Sequence, residues 1–72
     1  MIRFDTRALY EALEAKRLAR GLGWAAVAAE TGVAAATLKR TKDGGRLEVD
    51  TMLAMVAWLG RSVESFTRET PL

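Results

Sequence analysis

Lys39, Arg40, Lys42 and Arg46 fall within the ten-residue segment TLKRTKDGGR, opposed only by Asp43, so this stretch carries a local charge of +3. The whole chain of 72 residues carries only +2. Closely spaced cations sum their potentials at a surface and can hold a polyanion. On charge alone, however, the ordinary reading is a solvated face. Acid–base chemistry has less to work with. Histidine and cysteine are both absent, which removes the commonest general base, the usual nucleophilic triads, thiolate metal sites and disulfides. Glu11 with Glu14, or Glu64 with Glu69, would be the acid–base pairs. On helix surfaces without a histidine or a ligand cluster they read as solubilising charge. Gly21-Leu22-Gly23 and Gly44-Gly45 lack the preceding strand that a phosphate-cradling loop needs, and they read as helix stops. No enzyme, cofactor, metal or small-molecule substrate is expected.

At 7.9 kDa the chain is a single domain over residues 1–72. A core of this size supplies about 3–5 kcal/mol, too little to build an enclosed active site with its own supporting shell. Half the residues are apolar and 28% are charged, the balance of a compact soluble domain. Arg3, Asp5, Arg7, Glu11 and Glu14 interrupt any apolar leader. The longest apolar run, Met52 to Leu59, falls well short of the ~20 residues a membrane helix requires. A cytoplasmic protein without a membrane partner is expected.

The elements that must carry the cations are helical. Thirteen alanines and one proline favour helix throughout, and no alternating run suggests a sheet, although Ile2 and Phe4 allow a short extended arm. The predicted helices cover about residues 6–20, 24–31, 35–43, 49–59 and 63–68, an all-α, compact five-helix bundle. Asp5 or Thr6 can cap the first, whose inward stripe is Leu9 and Leu13. Met52, Met55, Val56 and Leu59 give the fourth a buried stripe, with Leu53 and Trp58 widening it. Val63 and Phe66 anchor the last.

The middle third holds the most specific pattern. Gly32 permits a sharp turn, Val33 enters the core beside Ala28 and Leu38, and Ala28 must be small where the two helices cross at roughly 90–120°. This arrangement pushes the outer face of the third helix away from the body, where it can enter a DNA major groove. The segment WAAVAAETGVAAATLKRTKDGG, with Ala28, Gly32, Val33, Leu38 and Gly44 in that order, resembles the phage-repressor helix-turn-helix family of the Cro-like, XRE type. Downstream, LEVDTMLAMVAWLGRSVESF is similar to that family's fourth and fifth helices, and Leu13, Arg17, Gly21 and Leu22 fit the end of its first. The resemblance covers about residues 9–66 and implies a lambda-repressor-like bundle with a central helix-turn-helix.

What it implies for the site is a set of base-reading candidates, Ala35, Ala36, Thr37, Lys39 and Arg40, and of phosphate-contact candidates, Trp24, Lys42, Gly45 and Arg46. Four positions depart from the family. Trp24 stands where a phosphate-binding glutamine usually begins the second helix, and a packed aromatic explains it equally well. Ala35 and Ala36 replace polar base readers, so hydrogen-bonding readout falls mostly to Thr37, Lys39 and Arg40; as an alternative, these alanines only favour the helix. Lys42 replaces a glutamate that pairs with the arginine matching Arg17, so Arg17 either points outward or finds Glu14 or Glu48. Lys16 and Arg20 read as a solvated face.

The expected function is a sequence-specific regulator of transcription that binds double-stranded DNA, a small repressor acting by operator occupancy as a homodimer. Leu18, Leu53, Trp58 and Leu72 are candidates for the dimer face. The alternative is a protein-interaction module on the same fold, antitoxin-like, whose alanine-rich third helix packs against a partner.

Overall fold

The computed structural model describes residues 1–71. The order is β1 (Ile2–Phe4), α1 (Thr6–Ala19), α2 (Trp24–Thr31), α3 (Ala35–Arg40), a 3-10 turn (Thr41–Asp43), α4 (Val49–Leu59), a second 3-10 turn (Val63–Phe66) and β2 (Thr67–Glu69). The expected all-α five-helix bundle is therefore corrected. Among the described residues the fold is mixed, with four α-helices and a two-stranded antiparallel sheet that pairs Ile2 with Glu69, Arg3 with Arg68 and Phe4 with Thr67.

The predicted fifth helix is where the difference lies. Six residues give less than two helical turns, and such a helix forms one costly nucleus for few hydrogen bonds. The ladder offers residues 67–69 partners that a helix would not. Asp5 N–H donates to the Phe66 carbonyl, and Thr70 N–H donates to the Met1 carbonyl at 2.9 Å, so the pairing extends beyond both strand ends. Phe66 is 1% exposed and meets Phe4 at 6.2 Å between ring centroids, which fixes the ribbon to the core.

The third helix is also shorter than the predicted 35–43. It stops at Arg40 and tightens into the 3-10 turn, as last turns commonly do. Thr41 is buried within it and its hydroxyl donates to the Thr37 carbonyl at 3.1 Å.

Leu9 and Leu13 from α1, Val27 from α2, Val33 from the turn, Leu38 from α3, Met55 and Val56 from α4, and Phe66 form one buried cluster. Asp5 caps α1 by accepting the Ala8 N–H at 3.0 Å. α4 is capped by a residue the sequence does not single out. The Glu48 carboxylate accepts the N–H groups of Asp50 and Thr51, each at 3.0 Å. These bonds, the backbone N–H of Asp50 first, hold its pKa below the usual carboxylate value.

Gly32 and Gly44 both adopt φ +76°, a conformation that costs L-residues about 1–2 kcal/mol. A Cβ on Gly32 would meet open space, whereas one on Gly44 would lie 2.6 Å from the Arg7 Nε. Gly44→Ala is therefore expected to destabilise more than Gly32→Ala, by the displacement of Arg7. In an Arg7→Ala background the two costs should converge, as read by denaturant unfolding. A difference that survives removal of Arg7 contradicts this account.

Candidate nucleic-acid interface

The outward face of α3 follows from its buried face. Leu38 is fully buried and Thr41 is 1% exposed, one turn apart, and they turn that side of the segment onto the core. Ala36, Lys39 and Arg40 lie opposite and are exposed, Ala36 being three residues from Lys39 and four from Arg40. Ala35 and Thr37 are half-buried flanks of this face. The Arg40 guanidinium donates to the Thr37 hydroxyl at 3.2 Å, leaving most of its donors free.

The turn before α3 is built locally. Gly32 N–H donates to the Ala28 carbonyl at 2.9 Å. The Thr31 hydroxyl accepts the Val33 N–H at 3.1 Å while donating to the Val27 carbonyl, so Val33 is delivered into the core. Beyond α3, Lys42, Gly45 and Arg46 are all exposed. A groove of about 510 Å³ runs between them and α4, lined by Thr37, Arg40, Asp43, Arg46 and Glu48 among others. Four of the phosphate and base candidates thus share one side of the molecule with two carboxylates.

Trp24 is placed differently. It is half-buried, stacked on Tyr10 at 5.9 Å between centroids, with the Arg17 guanidinium 4.7 Å from its ring centre. Arg17 in turn pairs with Glu14 at 2.6 Å and donates to the Leu22 carbonyl at 3.0 Å. Its Nε is buried without a partner, which is tolerable where the flat guanidinium lies on an aromatic face. Of the alternatives open for Arg17, Glu14 is the partner formed, and Trp24 is primarily a packing residue. The Arg17 guanidinium and the Tyr10 hydroxyl, in that order, hold the Glu14 carboxyl below the usual range.

Lys16 and Arg20, expected to be solvated, are instead engaged. Arg20 binds Glu30 through two nitrogens, at 2.6 and 3.1 Å, and Glu30 also accepts the Trp58 indole N–H at 2.9 Å. Lys16 donates to the Trp58 carbonyl and sits 4.3 Å above its ring. This network ties α1, α2 and α4 together, and it withdraws Trp58 from the residues available to a dimer face. Leu18 and Leu53 remain exposed, at 61% and 45%, and Leu72 lies outside the described residues. Residues 10, 28 and 42 positions apart carry no local signal, so this network was invisible to spacing.

No family model, curated protein or solved structure matches the chain.

No helix of the described residues is long and apolar enough to cross a membrane. No three carboxylates gather there to hold a metal ion.

The network makes an acid-sensitive prediction. Arg20 and then the Trp58 indole lower the pKa of Glu30 from its ordinary 4.5. The unfolded chain thus takes up the proton at higher pH than the folded one. Stabilisation is complete above pH 4.5 and is lost as pH falls through the lower folded value. Glu30→Gln is expected to flatten the fall in melting temperature on acidification; a fall identical to that of the parent chain would assign the acid loss elsewhere.

Proposed function

We propose that the chain is a sequence-specific regulator that binds double-stranded DNA through α3, acting as a small repressor by operator occupancy in a homodimer. The observation that carries this reading is the exposed Ala36–Lys39–Arg40 face, backed by buried Leu38 and Thr41. A rigid cationic helix face free of its own protein's cover is what a major groove accepts. Arg40 supplies a bidentate donor for the O6 and N7 of guanine, Lys39 a second donor, and Ala36 a methyl surface for thymine. Lys42 and Arg46, with the exposed backbone of Gly45, meet phosphates.

The resemblance to the Cro-like helix-turn-helix family supports the same reading through Ala28, Gly32, Val33, Leu38 and Gly44. A single module reads few bases, and a two-fold pair spaces two such helices about 34–36 Å apart, one turn of duplex.

A protein-binding alternative draws on a second, adjoining groove of about 260 Å³, where Ala34 and Asp50 join Thr37 and Glu48, which line both grooves. The carboxylates of Glu48 and Asp50 repel phosphate there. A gel-shift series over duplex sequences and salt concentrations separates the readings. Lys39→Ala and Arg40→Ala are expected to relax base preference, by about 1–3 kcal/mol for Arg40. Lys42→Ala and Arg46→Ala should weaken every sequence alike and lower the salt slope by about 1 each. Unchanged binding in all four variants would refute this use of the face.

A further inference from the structure

We propose that Arg3, Arg7, Arg46 and Arg68 form a second surface that grips the phosphate backbone of a DNA duplex beside the part held by α3. The proposal rests on the DNA-binding reading and extends it to a site that sequence spacing could not assemble.

The strand register sets Arg3 directly opposite Arg68. Like charges facing across two strands destabilise a ladder. Both side chains are exposed, and the described ion pairs (Met1–Glu69, Glu14–Arg17, Arg20–Glu30) include neither. A three-residue ribbon carrying this repulsion fits an anion supplied from outside.

Two further arginines adjoin the pair. One groove of about 480 Å³ is lined by Arg3, Arg46 and Arg68, and its neighbour of the same size by Arg7 and Arg68. The two share Phe4, Thr6, Gly44 and Arg68, so they are parts of one concave surface. Arg7 lies across Gly44, where the missing side chain makes room for it. Asp5 and Glu11 also line the second groove, but Asp5 is committed to the Ala8 N–H. Four guanidinium groups therefore face two carboxylates, which leaves the surface with a net charge of +2.

Continuity with α3 identifies the ligand. Gly45, Arg46 and Leu47 line both the Arg3–Arg68 groove and the groove beside Thr37 and Arg40. Cations spread over adjoining shallow grooves exceed the reach of one small anion, whereas a nucleic-acid backbone presents phosphates in series. Guanidinium forks match phosphate oxygens two at a time, and each contact adds to the salt dependence.

Arg3→Glu is the decisive variant, because it replaces the repulsion with a cross-strand ion pair to Arg68. Its melting temperature is expected to hold or rise, while affinity for a duplex of unbiased sequence falls roughly tenfold at low salt and the salt slope flattens. Arg68→Ala should lower the same slope by about 1 with base preference unchanged. Parental affinity and slope in both variants would overturn the proposal, and if Arg40→Ala still relaxed base preference, the α3 reading would stand alone. Weaker binding in the Arg3 and Arg68 variants, with Lys39→Ala and Arg40→Ala silent, would keep this surface and discard the α3 reading. Failure of the parent chain to bind duplex, or its capture by polyglutamate instead, would overturn both.

Discussion

Leu38→Ala is expected to leave much of the protein unfolded at ambient temperature. Leu38 is fully buried at the centre of the cluster formed by α1, α2, α3 and α4. Removing a buried leucine side chain costs about 2–5 kcal/mol, through lost transfer energy and the cavity left behind. A domain of this size holds only about 3–5 kcal/mol in reserve. The same side chain sets which face of α3 turns outward, so the surviving folded fraction should also lose duplex affinity. Leu38→Met, which keeps volume, is expected to cost less than about 1.5 kcal/mol and to retain binding. Circular dichroism melts check the first claim and gel shifts the second. A fully folded Leu38→Ala protein would show that α3 is held by its turn alone.

Phe66→Ala should be as severe, with a different local consequence. Phe66 is 1% exposed, packs on Phe4, and carries the Arg61 guanidinium 4.1 Å from its ring centre. Truncating a buried phenylalanine costs about 3–5 kcal/mol. Its carbonyl also accepts the Asp5 N–H, and Asp5 caps α1. Loss of the ring therefore loosens the ribbon and the start of α1 together. Hydrogen exchange is expected to show the N–H groups of residues 3, 5 and 70 deprotected before those of α2. Uniform deprotection across the chain would mean that Phe66 supports the core generally and not the ribbon in particular.

Local pattern carried the helices. The Leu9–Leu13 stripe, the glycines bounding α2 and the apolar stripe of α4 are signals contained within one or two turns, and the elements found there are helices. The exposed cations of α3 were legible for the same reason. One buried leucine, with small residues before it and two cations after it, fixes which side faces solvent. The first strand was legible as the short extended arm of Ile2 and Phe4, but its pairing was not, because each strand has three residues, too few for a period of two to show, and the partners stand at opposite ends of the chain. The 3-10 ending of α3 and the 3-10 turn over Val63–Phe66 carry no local signal, because tightening depends on what the last carbonyls meet.

Sequence alone determined that these residues offer neither imidazole nor thiol and where their positive charge concentrates, since both are properties of residue type and order. Tertiary structure alone decided which charges are free. It committed Arg17, Lys16 and Arg20 to internal partners, and it set Arg3 opposite Arg68 on a surface continuous with Arg46. A charge is sensed over a few ångströms of space rather than along the chain, so its role is settled only when distant segments become neighbours.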